Sequence, residues 1–446
     1  MKRNELDWLK QWKISGTRKP LIIRGARQVG KTWLMKEFGR TEYQKTAYIN
    51  FESNPALQSL FVQDFDIPRI LLALRITSGT EIEAGNTLLI LDEIQEAQGG
   101  LTALKYFYEN APQYHVISAG SLLGVALGGK TSFPVGKVDF LDLYPFDFVE
   151  FLEALSEQAL ATLLQTHHWE SLKTFKTRYI ERLKQYYYVG GMPEAVVSFA
   201  QKNDFPAVRE IQRRILIGYE QDFSKHAPHA IVPRIRMLWN SIPVQLAKEN
   251  RKFIYGAIRQ GARAKDYEVA MAWLIDCGLI HKVNNVSKPA MPLKAYEEID
   301  AFKLFLVDIG LLSAMSDLDV RSLLDENSTL EEFKGALTEQ YVLQQLVAQK
   351  KIGIYYWSPD NARSEIDFLL QIDDQIVPVE VKAAENLKSK SLRVYYDKYQ
   401  PTTVIRTSLS DFRQQDWMTN LPLYAVQELK QVLRLRTSSP SDTVHE

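Results

Sequence analysis

Only one cysteine, Cys277, stands in the 446 residues. A lone thiol excludes an internal disulfide framework and suits a reducing compartment. Long apolar runs are missing too, since none approaches the roughly 18–20 residues that a membrane span needs. The basic start, MKRNELDWLKQWK, has no apolar core behind it and does not read as a secretory signal. Charge of one sign is also lacking: Lys+Arg and Asp+Glu are both 54. No global field therefore marks the chain for nucleic acid or an acidic substrate, and any such site must be local. With 46% hydrophobic and 24% charged residues, the composition is that of a globular protein, not a disordered one. The expectation is a cytoplasmic protein of about two to four domains, with no membrane partner.

What is present begins with an alternation. LIIRG (21–25), AYINF (47–51), TLLILDE (87–93) and YHVISAG (114–120) are strand-like, and amphipathic stretches such as KTWLMKEFG and TALKYFYEN lie between them. Strands alternating with helices predict a parallel, doubly wound α/β sheet over residues 1–145. From 146 to 205 the pattern is helical, through DFVEFLEALSEQALATLLQTHHW and TRYIERLKQYYYV to the breaker GGMPE. Between 206 and 265 twelve Lys/Arg face four Asp/Glu, an excess of eight positive charges. There PRIRMLWNSIPVQLAKEN, FIYGAIRQG and AKDYEVAMAWLIDCGLIHKV read as helix, short helix, and longer helix followed by a strand. That order suits a winged helix-turn-helix within 206–318, and equally a plain helical connector with solvated basic faces. Beyond it, FKGALTEQYVLQQLVAQK reads as a helix, and GIYYW, EIDFLLQI, IVPVEVK and TVIRT read as strands of a last domain, 319–430. The tail, 431–446, has the composition of a disordered end.

One segment carries a specific chemistry. GARQVGKT, Gly25 to Thr32, satisfies G-x4-G-K-[ST] between a strand and a helical stretch. Backbone N–H groups of Gly25, Ala26, Arg27, Gln28, Val29 and Gly30, with the helix start at Trp33, can surround phosphates. Lys31 then reaches the β- and γ-phosphates of ATP, and the Thr32 hydroxyl ligates Mg²⁺. About sixty residues on, LLILDE ends a continuous apolar run, so Asp92 and Glu93 sit at the carboxyl end of a doubly buried strand. Asp92 is expected to hold the Mg²⁺ water shell and Glu93 to orient the attacking water. Ser121, after the next strand, is the candidate contact to the γ-phosphate.

The strings RGARQVGKTWL, LDEIQ, AGSLLGV, FPVGKVDFLDLYPFDFVEFL and YVGGMPEAV resemble the bacterial and archaeal AAA-type ATPases that carry a C-terminal domain of uncharacterised function. FKLFLVDIGLL, FKGALTEQYVL, YYWSPDNARSEIDFLL and PVEVKA resemble that family's C-terminal half. The resemblance spans about residues 8–410. It implies a P-loop ATPase core, a winged-helix middle and a C-terminal α/β fold like that of restriction endonucleases. Where the family often has Gly-Arg, this chain has Gly136-Lys137. Lys137 keeps the charge without the planar fork of an arginine finger.

The C-terminal stretch EIDFLLQIDDQIVPVEVKA reads as a hairpin. If it turns on Asp373-Asp374, paired residues sum to 747 and Asp367 faces Glu380, with Lys382 pointing the same way. Like charges so opposed are destabilising, and a cation between them removes the repulsion. This is the geometry of a D…(D/E)-x-K nuclease site, in which metal activates water and the lysine stabilises a charged phosphate. Such sites often add an acid from a preceding helix, matched here by Glu339, so that Asp367, Glu380 and Glu339 form the expected Mg²⁺ or Mn²⁺ ligand set. The competing reading is a half-solvated sheet face whose acid–base alternation serves solubility. At the level of function the sequence thus points to an ATP hydrolase acting on or gated by nucleic acid, DNA before RNA, working as a homo-oligomer. The alternative is an ATP-dependent regulatory or defence switch whose inactive C-terminal domain binds a partner.

Overall fold

The computed structural model describes residues 2–120, 134–247, 252–324, 331–349, 351–359, 364–385 and 389–437. Its contacts divide into two compact units. The first comprises Met1–Pro145 with Ala272–Leu279, and the second Phe146–Met271 with Ile280–Glu446. The chain leaves the first unit after Pro145 and returns to it for Ala272–Leu279.

The first unit is a parallel sheet of β1 (Leu21–Arg24), β2 (Lys45–Asn50), β3 (Thr87–Asp92), β4 (His115–Ala119) and β5 (Asp139–Asp142), in the order β2-β3-β4-β1-β5. The four expected strands are all present. β5 is a fifth, missed because the short acidic DFLD carries no apolar run. Every residue of β3 is buried, which accounts for its unbroken apolar sequence. Leu89 and Leu91 of this strand join Ile22, Ala47, Ile49, Leu104 and Phe107 in one core cluster. Helices Lys31–Glu42, Ile67–Ser78 and Gly100–Asn110 connect the strands. Local chemistry sets their ends: the Asp66 carboxylate accepts from Arg69 N–H at 3.0 Å to start the second, and Gly79 at φ +65° closes it. The loops at the carboxyl ends of β1 and β3 therefore open on one edge, where ligands of open α/β sheets bind.

The second unit opens with helices, among them Lys176–Val189, Phe205–His226 and Val232–Leu246. It continues into a sheet of eight strands: β6 (Ile280–Val286), β7 (Glu297–Leu306), β8 (Gly353–Trp357), β9 (Ile366–Ile372), β10 (Gln375–Val381), β11 (Ile405–Ser408), β12 (Arg413–Gln414) and β13 (Thr419–Pro422). Their order is β12-β13-β11-β10-β9-β8-β6-β7. The helix Glu331–Ala348 leads into the antiparallel run β8-β9-β10, and the helix Lys390–Tyr399 leads to β11, parallel to β10. Trp357, Ile366, Leu369, Leu392 and Tyr395 form a core cluster on this part of the sheet.

Two expectations need correction. FIYGAIRQG yields only a three-residue 3₁₀ turn, Tyr255–Ala257, because its two glycines and few helix formers favour no longer helix. The tail begins later than 431: Leu429–Thr437 is helical and buries Leu429, Val432 and Leu433 at i, i+3 and i+4, while residues 438–446 lie outside the described residues.

Candidate functional site

The glycine loop leaves β1 through Gly25 at φ +145°, where a Cβ would stand 2.2 Å from the Leu143 carbonyl oxygen, so no other residue fits. Gln28 at φ +69° and Gly30 at φ +95° complete the turn, and the helix Lys31–Glu42 starts directly after it. Loop N–H groups and helix start form a concave anion cradle. Lys31 is buried and donates to the carbonyl oxygens of Gly25 and Ala26, at 2.9 Å each. Burial pulls its ammonium down to about 8, against the upward pull of Glu93 and Asp92. Trp33, just past the loop, is 37% exposed.

β3 delivers Asp92 to the same edge. The Thr32 hydroxyl donates to Asp92 Oδ2 at 2.7 Å, and the Tyr48 hydroxyl donates to the same oxygen at 3.0 Å. Burial raises the Asp92 carboxyl above its usual range in spite of these bonds. Glu93 takes the left-handed φ of +50°, which turns it out of the strand, and Gln95 Nε2 donates to its Oε2 at 2.6 Å. The structure thus brings Lys31, Thr32, Asp92 and Glu93 together as the motif spacing predicts. A hydroxyl and a carboxylate oxygen in direct contact, beside a buried lysine, form a donor set suited to Mg²⁺ and a nucleotide phosphate.

Two neighbours escaped the sequence reading. Tyr48 arrives because β2 lies beside β3 with Tyr48 opposite Ile90. Gly278, at φ +71°, stands where a Cβ would lie 3.3 Å from the Ala26 nitrogen, so a residue about 250 positions downstream abuts the phosphate loop. No local signal marks either one. Ser121 lies outside the described residues. Lys137 pairs with Glu109 at 3.0 Å within the same unit.

In the second unit, β9 and β10 pair from Gln375↔Ile372 to Val379↔Phe368, so the sum of 747 holds along the hairpin. The turn falls on Asp373 and Asp374, with Asp373 left-handed at φ +53°. Continued by one step, this register sets Glu380 against Asp367. Glu380 is 4% exposed and Asp367 half-buried, so this is no solvated face. Asp367 Oδ2 accepts from the Val381 N–H at 2.7 Å. Lys382 Nζ meets Glu380 Oε1 at 2.8 Å, while Glu380 Oε2 is buried without a hydrogen-bond partner.

The row extends beyond what the sequence revealed. Glu380 pairs with Arg406 of β11, and Arg406 with Asn420 of β13. Arg406 is buried and its Nε donates to Asn420 Oδ1 at 2.9 Å. Burial lowers the guanidinium below its ordinary value and the Glu380 charge pulls it back. Glu339 stands on the Glu331–Ala348 helix with Lys303 Nζ 3.6 Å away, and Lys303 also pairs with Glu365. Among the described residues no group of three or more His, Cys, Asp or Glu is placed to hold a metal ion. Any cation held by Asp367 and Glu380 would therefore keep most of its waters.

The basic excess of 206–265 is partly spent inside the protein. Arg209 is buried on Tyr188, Ser313 and the Leu318 carbonyl, Arg213 pairs with Glu210, and Arg214 pairs with Glu194. Arg259, Arg263 and Lys265 are exposed and form no ion pair among the described residues.

Comparison with known proteins finds three matched regions in the chain. Residues 17–152 match the model of the AAA domain, 180–322 match a domain of unknown function (DUF8612), and 334–426 match a second one (DUF4143). No curated protein matches. The chain is similar to the Walker-type ATPase PABY2304 of Pyrococcus abyssi, with 16% identity, 71% of this chain and 95% of that one covered, and a TM-score of 0.44. For the Aeropyrum pernix ORC1 protein in complex with DNA the values are 12%, 72%, 93% and 0.27. For the Thermotoga maritima RuvB Holliday junction branch migration motor they are 15%, 62%, 87% and 0.29. An AAA domain is a nucleotide-binding module that ordinarily uses Mg²⁺. With its glycine loop and its acidic strand end in contact, the N-terminal unit is an AAA-type P-loop ATPase module.

Proposed function

We propose that ATP hydrolysis in the AAA module serves work on nucleic acid, DNA before RNA, and that the C-terminal sheet is a metal-dependent nuclease. In the AAA module, Lys31 releases the Gly25 and Ala26 carbonyls to meet the β- and γ-phosphates, and Glu93 orients water for attack. Thr32 and Asp92 would hold Mg²⁺, which when bound supplies positive charge to the phosphoryl oxygens.

One observation carries the nuclease reading: a buried Glu380 has one oxygen on Lys382 and the other without a hydrogen-bond partner, one step past the Val379↔Phe368 pair and so toward Asp367. Burying such a carboxylate half-satisfied is costly unless a ligand completes it. Asp367 and Glu380 fit a weakly held Mg²⁺ or Mn²⁺, and Lys382 fits the charged phosphate. The order of helix, three antiparallel strands, helix and parallel strand supports a restriction-endonuclease-like fold. For nucleic-acid binding, the support is the order Val232–Leu246 helix, Ala264–Asp276 helix and β6-β7 hairpin, together with exposed Arg259, Arg263 and Lys265.

The test is degradation of single- and double-stranded DNA by the full chain with Mg²⁺ or Mn²⁺, with and without ATP. Cleavage that vanishes in Lys382→Ala is the expected result, and no cleavage under any of these conditions refutes the nuclease reading.

A second reading is favoured by the ties already made within the row. Asp367 is engaged by Val381 N–H, and Glu339 by Lys303. On this reading the domain grips a partner without cutting, and the protein is an ATP-dependent switch. ATP-dependent changes in assembly without cleavage would then be seen.

A further inference from the structure

A cavity of about 670 Å³ opens in the second unit beside Lys382. Leu183, Lys184 and Tyr187 of the Lys176–Val189 helix form one wall, and Lys334 and Thr338 of the Glu331–Ala348 helix form another. Residues three or four apart share a helix face, so Lys184 with Tyr187 and Lys334 with Thr338 turn to the same space. The turn after β10 brings Lys382 to the third side. Of the charged residues lining the cavity, three are Lys184, Lys334 and Lys382, the last already tied to Glu380, and one is Glu385. Glu385 is itself paired with Lys176 outside the cavity.

The walls are fixed in place. The Tyr187 hydroxyl lies 3.4 Å from Thr338 Oγ1, and that hydroxyl donates to the Lys334 carbonyl at 2.7 Å. Tyr187 is buried and shows the cavity only an edge, whereas Ile180 and Leu409 of the lining are half-buried and supply its open apolar surface. Cavities that hold compact organic ligands fall at roughly 300–1,000 Å³ and combine apolar walls with a few convergent polar groups. A bare phosphate would leave most of this space to water, and a duplex does not enter it. The ligand chemistry that uses both the lysines and the apolar wall is a phosphate joined to a flat base.

We propose that this cavity binds one phosphorylated nucleotide unit, with its phosphate among Lys184, Lys334 and Lys382 and its base against Ile180, Leu409 and the edge of Tyr187. The unit comes either from the end of a single strand or from a free nucleotide. The inference deepens the reading of the Lys382 site as a nucleic-acid site, and rests on it for the strand-end source. It restricts the substrate to strand ends or unpaired segments that can thread one nucleotide inward.

The test uses the full chain carrying Lys31→Ala, which removes nucleotide binding at the AAA module. Calorimetric titrations compare deoxyadenosine monophosphate, deoxyadenosine, and a short oligodeoxynucleotide with and without a 5′-phosphate. The monophosphate or the phosphorylated oligonucleotide should bind, and the unphosphorylated counterpart should bind roughly tenfold or more weakly, as expected for charge-assisted hydrogen bonds. Lys184→Glu and Lys334→Glu should each cost a similar factor. Ala384→Trp, at the exposed mouth, should block entry should either lysine variant fail to fold. Binding of the oligonucleotide alone assigns the strand end, and binding of both assigns the nucleotide unit itself. Absence of binding by both phosphorylated probes, or affinities unchanged in all three variants, overturns the proposal. Binding without any DNA cleavage would sink the nuclease reading and leave the pocket standing; cleavage without binding does the reverse.

Discussion

Lys31 is held in a resting posture, its ammonium shared between two carbonyls of its own loop and weakened by burial. Removing it should abolish ATP hydrolysis, since no other described side chain stands in its place. Glu93→Gln should keep nucleotide affinity while turnover falls on the order of 10²–10⁴-fold, the usual contribution of a proton-accepting side chain. Steady-state turnover with parallel nucleotide titration separates the two variants, and unchanged turnover in Glu93→Gln would take the role from that residue. Lys31, Thr32 and Asp92 were legible because a glycine-loop motif fixes their spacing and a buried apolar run announces the strand end. Tyr48 and Gly278 were not, since each reaches the site through sheet order or a distant crossing that no local pattern encodes. The same division holds at Glu380: its partner Asp367 followed from counting around a two-residue turn. Arg406 and Asn420 depend on β11 lying in parallel beside β10 and β13 beside β11, and nothing in sequence near 380 reveals that.

At the scale of elements, Asp308 ties three of them. Its Oδ2 accepts from Gly191 N–H at 2.6 Å and from Gln344 Nε2 at 3.1 Å, and its Oδ1 accepts from Leu311 N–H at 3.0 Å, capping the helix Ile309–Met315. Burial outweighs those bonds and raises the carboxyl to about 6. A carboxyl raised on folding binds its proton more tightly in the native state. Its contribution to stability is therefore greatest below the ordinary value near 3.8 and declines as pH rises to about 6. The decline amounts to something on the order of 3 kcal/mol. His115 and His281, both pulled down to about 4 by loss of solvation, act in the opposite direction over the same range. The quantity to measure is thus the difference between wild type and Asp308→Asn in denaturant midpoints from pH 4 to 7. The variant should be destabilised by about 2 kcal/mol near pH 5 because its amide N–H₂ meets donors. The gap should narrow toward pH 7, and a gap independent of pH would remove the titration from Asp308. Strongly patterned elements such as β3 and the β9-β10 hairpin were legible; β5, β12 and β13 were not, because DFLD, RQ and TNLP carry no apolar run or alternation to mark them.

For the whole molecule, the balanced total of charge hides a local surplus that folding only partly neutralises. If exposed Arg259, Arg263 and Lys265 touch phosphates, replacing all three with Ala should flatten the log–log salt dependence of DNA binding by about 0.9 per lost contact. An unchanged slope and affinity would assign that surface to something other than DNA. The path of the chain was not legible at this scale, because Ala272–Leu279 returns to the first unit without any break in the Ala264–Asp276 helix. The three regions matched by family models lie end to end in the sequence, like interchangeable cassettes. The fold does not honour that reading, since the 180–322 region lends eight residues to the nucleotide-binding unit, Gly278 among them. Exchanging the middle cassette by recombination would import a foreign wall against the Ala26 backbone, so the ATPase and its middle partner are bound to be inherited together.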